Sequence, residues 1–96
     1  MKVRNMISES SGQEVANQFI ITDDNGNVYF QSFQTVIAKV ARDFNLPESE
    51  WNKITLDTNW DYNTTTGEYR NRFLGEERKE TERKIKDGTY IVTNLN

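Results

Sequence analysis

The chain has 96 residues, with 34% hydrophobic, 11% aromatic and 28% charged residues and a net charge of −3. That length predicts one domain, 1–96, and the modest net charge keeps it on the folded side of the disorder boundary. Cysteine and histidine are both absent. Disulfides, thiolate metal sites, Ser-His or Cys-His catalysis and His-ligated metals are therefore excluded within these residues.

At the N-terminus, "VRNMI" reads as a short edge strand and "SESSGQE" as a polar loop. "NQFIITDDNGNVYFQSF" places two β-rich runs around Asn25-Gly26, a hairpin signal. A two-residue loop there sets Asp24 opposite Asn27 and Ile21 opposite Phe30. Phe19, Ile21, Val28 and Phe30 then share the core face, with Ile20, Tyr29 and Phe33 on the other.

In "SFQTVIAKVARDFNLP", Val36, Ile37, Val40, Ala41 and Phe44 recur at helical spacing, so this segment is expected to be an amphipathic helix. Ser32 would be its N-cap, and Asn45 with Pro47 its stop. "PESEWN" suggests a short helical turn and "KITLDTNW" a strand.

Thr65 and Glu68 fit a capping box. It would open a helix from about Thr66 to Leu74, closed by Gly75. A second, highly charged helix is expected from about Glu76 to Asp87, with Glu80–Lys84 and Glu82–Lys86 pairs and Gly88 after it. "TYIVTNL" supplies a last strand. The expected fold is α+β: a small antiparallel or mixed sheet, one packed amphipathic helix and a C-terminal helix pair, in the order β-β-α-β-α-α-β.

Asp23, Asn25 and Asn27 resemble the opening of a calcium loop. The sixth position would be Val28 where glycine is needed, and the twelfth Gln34 where a bidentate Glu is needed. The hairpin explains these residues, so no metal and no cofactor is expected. Asp57 and Asp61 flank Trp60, and Glu48 and Glu50 precede Trp51, but nothing in the spacing pairs them as an acid–base couple. Phosphate-binding glycine loops and a nucleophile elbow are missing, so the reading is not an enzyme. With no long apolar run and no apolar leader, a cytoplasmic chain without membrane contact is expected.

Charge is uneven along the chain: five basic and nine acidic residues up to residue 61, seven and six from residue 62 on. "NWDYNTTTGEYRNRFLGEERKE" gathers Trp, Tyr and Arg, the residues that dominate protein–protein hot spots. Trp60, Tyr62, Tyr69, Arg70 and Arg72 are therefore candidates for a protein-binding patch. A second reading has Trp60 ending a strand and packing inward, with Tyr69 and Phe73 as a buried helix face. An alternative function is weak nucleic-acid binding by Arg78, Lys79, Arg83, Lys84 and Lys86, diluted by the glutamates of the same helix. A protein partner of unspecified identity is expected, and the chain itself as a monomer or homodimer.

Trp60-Asp61-Tyr62, the Thr pair before Tyr69, Phe73-Leu74-Gly75, the charged helix and Gly88 resemble the C-terminal part of short uncharacterised proteins of phages and mobile elements of Gram-positive bacteria. The resemblance implies no activity. It implies a context in which small acidic proteins often bind a host protein, sometimes a defence component.

Overall fold

The computed structural model describes residues 1–43 and 45–96. Among the described residues six strands form one sheet in the order β1-β2-β3-β4-β5-β6. They are β1 (Lys2–Ile7), β2 (Glu14–Thr22), β3 (Val28–Ser32), β4 (Thr35–Val40), β5 (Ile54–Leu56) and β6 (Ile91–Val92). Neighbours from β1 to β5 are antiparallel, and β6 joins β5 in parallel. A parallel neighbour requires a crossover. Here it is the helix pair α1 (Thr64–Leu74) and α2 (Arg78–Lys86). The class is α+β, as expected. "PESEWN" forms the 3-10 turn Glu48–Glu50.

The segment expected to be the long helix contains β4 instead. Thr35, Val36, Ile37 and Val40 are β-branched, which restricts them in a helix and suits a pleated strand. Their helix-like spacing comes from a β-bulge. Phe30 faces Ala38 and Gln31 faces Val36, leaving Ile37 without a partner. Two consecutive residues, Ile37 and Ala38, are thereby fully buried, which hides the two-residue alternation of a strand. Phe44, the last member of the expected stripe, lies outside the described residues. Ser32 ends β3 and is not an N-cap; its Oγ lies 2.8 Å from Thr66 Oγ1.

The first hairpin is present, but its register differs by one residue from the expected one. Ile20 faces Phe30 and Ile21 faces Tyr29. Asp23 and Asn27 close the turn, with Asp23 N–H donating to Asn27 O at 3.0 Å, so the loop has three residues rather than two. Gly26 has φ 96°, the left-handed residue such a loop needs. Asp23 Oδ1 accepts the Asn25 and Asn27 backbone N–H groups, both at 2.9 Å, and holds this form. A one-residue shift exchanges the two faces. Ile20, not Ile21, therefore enters the core with Phe30, while Phe19, Ile21 and Tyr29 lie half-buried on the opposite face.

The core consists of Met6, Ile20, Phe30, Ile37, Ala38, Leu56 and Tyr90. Tyr69, Phe73 and Leu74 of α1 and Ile85 of α2 pack against it. The Phe30 and Phe73 rings stack at 5.8 Å and 27°. Burying a side chain such as Phe30 contributes about 2–3 kcal/mol, and an aromatic pair adds about 1 kcal/mol.

Asn63, not Thr65, caps α1: its Oδ1 accepts the Thr66 N–H at 2.8 Å. The expected capping box is therefore not formed; Thr66 is buried and faces Ser32. Gly75, at φ 71°, ends the helix as expected. The expected Glu80–Lys84 and Glu82–Lys86 pairs give way to Glu80–Arg83, Glu82–Arg78 and Glu76–Lys84. Glu76 is nearly buried and gathers Lys84 Nζ, Tyr90 Oη and Thr81 Oγ1 at 2.8, 2.7 and 2.6 Å, which draws Lys84 away from Glu80.

Candidate functional site: an uncharged aromatic cavity

The aromatic and arginine residues from Trp60 to Arg72 divide between the interior and the surface. Arg70, at 1% exposure, is the largest fully buried side chain. Its Nη1 donates to Trp60 O at 2.8 Å and to Asp61 Oδ1 at 3.2 Å, and its Nη2 donates to Asn71 Oδ1 at 3.0 Å. Its guanidinium lies 5.0 Å from the Trp60 ring centroid, and that of Arg78 lies 5.9 Å from the same ring. Trp60 is half-buried. Hydrogen bonds from Arg78, aided by Arg70, hold the Asp61 carboxyl below its usual range despite partial burial. This cluster anchors the start of α1; Arg70 is buried and Trp60 half-buried, while Asp61 and Arg78 lie at the surface.

Tyr69 packs on the core, and Arg72 covers its ring at 5.3 Å. Arg72 also donates to Ile7 O and approaches Glu9 at 3.5 Å, tying α1 to the β1–β2 connection. Of the five residues expected to form a protein-binding patch, Tyr62 alone stands well clear of the surface, at 67% exposure.

Tyr62 lines a surface cavity of about 680 Å³ with Phe19 and Phe33. The remaining lining is Asn17, Gln34, Asn63, Ser32 and Thr35. Strand β2 brings Asn17 and Phe19, the β3–β4 turn brings Ser32 to Thr35, and the loop into α1 brings Tyr62 and Asn63. The Ser32–Thr66 contact at 2.8 Å fixes the turn against α1. None of the eight lining residues is an Asp, Glu, Lys or Arg. The other hollow of about 680 Å³ is different: it contains Asp61, Glu68, Arg70 and Arg78.

The cavity rim is built from an unusual backbone. The β3–β4 turn has two residues, Phe33 and Gln34, between the paired Ser32 and Thr35. Phe33 takes φ 56°, at the first central position, where glycine is the usual occupant. Asn17 takes φ 64°, and its carbonyl accepts the Phe33 N–H at 2.7 Å. Positive φ is uncommon for any residue except glycine and is an outlier for a bulky one. Phe33, expected on a sheet face, instead occupies this turn, and the sequence pattern singles out no role for Asn17. The available signal was "SFQT" between two β-rich runs, the form of a tight hairpin turn.

The basic residues of α2 are largely neutralised. Arg78 pairs with Asp61 and Glu82, Arg83 with Glu80 and Asp87, and Lys84 with Glu76. Lys79 and Lys86 line a separate shallow hollow with Glu82, Arg83 and Asp87. Among the described residues no cluster of three acidic side chains is suited to a metal ion. No helix among them is long and apolar enough to cross a membrane. The Asp23 carboxylate, the calcium-like position, is engaged by Asn25, Asn27 and Tyr29.

A family model described as a family of unknown function, DUF8033, matches residues 1–88. The chain belongs to this family. The DUF8033 match spans strands β1 to β5, both helices and all eight cavity residues, and ends before β6. It takes in the Trp60-to-Gly88 features that carry the resemblance and the N-terminal part of the chain as well. No curated protein and no solved structure matches the chain.

Proposed function

We propose that this chain is a small, non-enzymatic protein-binding module whose contact surface is centred on Tyr62. The observation that carries this reading is the exposure of two aromatic rings, Tyr62 at 67% and Phe33 at 42%, on one cavity rim. Aromatic side chains supply large contact area at low entropic cost, and they anchor protein interfaces. The resemblance of the Trp60–Leu95 segment to proteins of phages and mobile elements supports a setting in which the partner is a host or defence protein. Trp60 and Arg70 serve this surface indirectly, by fixing the start of α1 and the loop that carries Tyr62, and Arg72 by tying the end of α1 to the β1–β2 connection.

Affinity capture from a lysate of the cells in which the chain is made, with and without nuclease and across a salt series, tests the reading. The expected result is one near-stoichiometric protein that survives nuclease and is lost with Tyr62→Ala. Recovered nucleic acid, with retention falling steeply as salt rises, would contradict it and favour the basic residues of α2. Capture unaffected by Tyr62→Ala would also contradict it.

A further inference from the structure

We infer that the cavity between Phe33 and Tyr62 docks an uncharged peptide segment of the partner, through one aromatic or large apolar side chain. This rests on the binding-module reading and specifies its ligand. The first argument is charge. In a chain with 28% charged residues, the cavity lining contains none. A carboxylate, ammonium or phosphate seated in it would meet no counter-ion to offset whatever water it gives up. A neutral segment meets no such barrier.

The second argument is chemical complementarity. Phe19, Phe33 and Tyr62 offer aromatic surface for an anchor side chain. Asn17 and Gln34 offer amides that both donate and accept, as a peptide backbone does, and Asn63 adds a third amide. The Asn63 side-chain oxygen is committed to Thr66 N–H, which leaves its amide nitrogen as the donor. Aromatic rings beside adaptable amides and hydroxyls are the mixture that paratopes use against protein surfaces.

The third argument is strain. A turn of this shape accommodates glycine at the Phe33 position at no steric cost, yet the chain holds a phenyl ring there, 42% exposed, at φ 56°. Asn17 shares the left-handed conformation across the same cavity wall and is bonded to Phe33 N–H. Asn tolerates this region, so the strain lies in Phe33; such strain persists where surrounding contacts fix it, and it clusters at ligand clamps. Here it aims the ring at the cavity rim before any ligand arrives.

The test is a titration of the isotope-labelled full chain by two-dimensional amide NMR, with acetyl-Gly-Phe-Gly-amide as the probe. Parallel titrations use the same peptide with Glu or Lys in place of Phe, and decathymidine. Saturable shifts at the side-chain amides of Asn17, Gln34 and Asn63, given by the Phe peptide alone and lost in a folded Phe33→Asn variant, are expected. Comparable shifts there with either charged peptide or with decathymidine would overturn the inference. So would the absence of saturation at millimolar Phe peptide. If the peptide fails while Tyr62→Ala still abolishes partner capture, the proposed ligand is wrong and the binding-module reading stands. If capture survives Tyr62→Ala, that reading itself is lost.

Discussion

Phe33 and Arg70 each occupy a position that their residue type seldom takes. Phe33 bears the left-handed penalty of about 1–2 kcal/mol that asparagine tolerates better. Phe33→Asn would recover part of it while losing the contacts of a ring that is 42% exposed. Its unfolding free energy in urea is predicted to stay within about 1 kcal/mol of the parent, where a core Phe substitution would cost about 3–5 kcal/mol. A loss of core size would show that Phe33 is held for stability. Arg70 is the opposite case. Removing its side chain leaves Trp60 O and the Asn71 side chain without their donor and opens a void beneath Trp60. Arg70→Ala is predicted to destabilise by about 2–4 kcal/mol, less than a fully buried pair would, because Asp61 retains Arg78. A change below about 0.5 kcal/mol, the usual surface range, would contradict its structural role.

Among the elements, β1, the first hairpin, β5, both helices and β6 were legible from turn residues, caps and apolar spacing. β4 was not. Its bulge sets Ile37 and Ala38 side by side in the core, and the resulting spacing of Val36, Ile37, Val40 and Ala41 satisfies a helical period as well as a strand. The β-branched run was the better guide. The hairpin register failed for a related reason, since Asn-Gly is compatible with either loop length and the Asp23 side chain decides between them. The candidate site was legible only at Tyr62. Phe33 and Asn17 join it through a turn that the helix assignment concealed, and nothing in the spacing showed that Arg70 would be buried. Within α1, Gly67 offers a test of helix energetics. A Cβ there would lie 3.6 Å from both terminal nitrogens of Arg70, an ordinary contact. Gly67→Ala is predicted to raise stability by about 0.5–1 kcal/mol. Destabilisation would mean that Arg70 needs more room over the helix than these contacts allow.

For the whole molecule, two carboxyls tie the crossover and the last strand to the sheet. Burial pushes Asp57 up, but hydrogen bonds from Leu95, Asn59 and Asn96 outweigh it and hold the group below its ordinary value. Burial likewise pushes Glu76 up, while Lys84, Thr81 and Tyr90 together hold it down. Each carboxyl binds its proton more weakly in the folded chain than in the unfolded one. The stability they contribute is complete above the unfolded pKa, near about 4, and is lost as pH falls through the lower folded values. Urea unfolding from pH 7 to pH 2 is predicted to be level above about pH 5 and to decline below about pH 4. The decline should shrink in Glu76→Gln. An unchanged acid slope in that variant would assign the loss elsewhere.

The central claim is that the Phe33–Tyr62 cavity is a docking site, and it is tested most directly by partner capture with Phe33→Asn beside the parent chain at equal concentration. The account predicts that the folded variant loses the partner, because the strained ring is part of the contact. Undiminished capture by a folded Phe33→Asn would contradict it and move the contact surface away from this cavity.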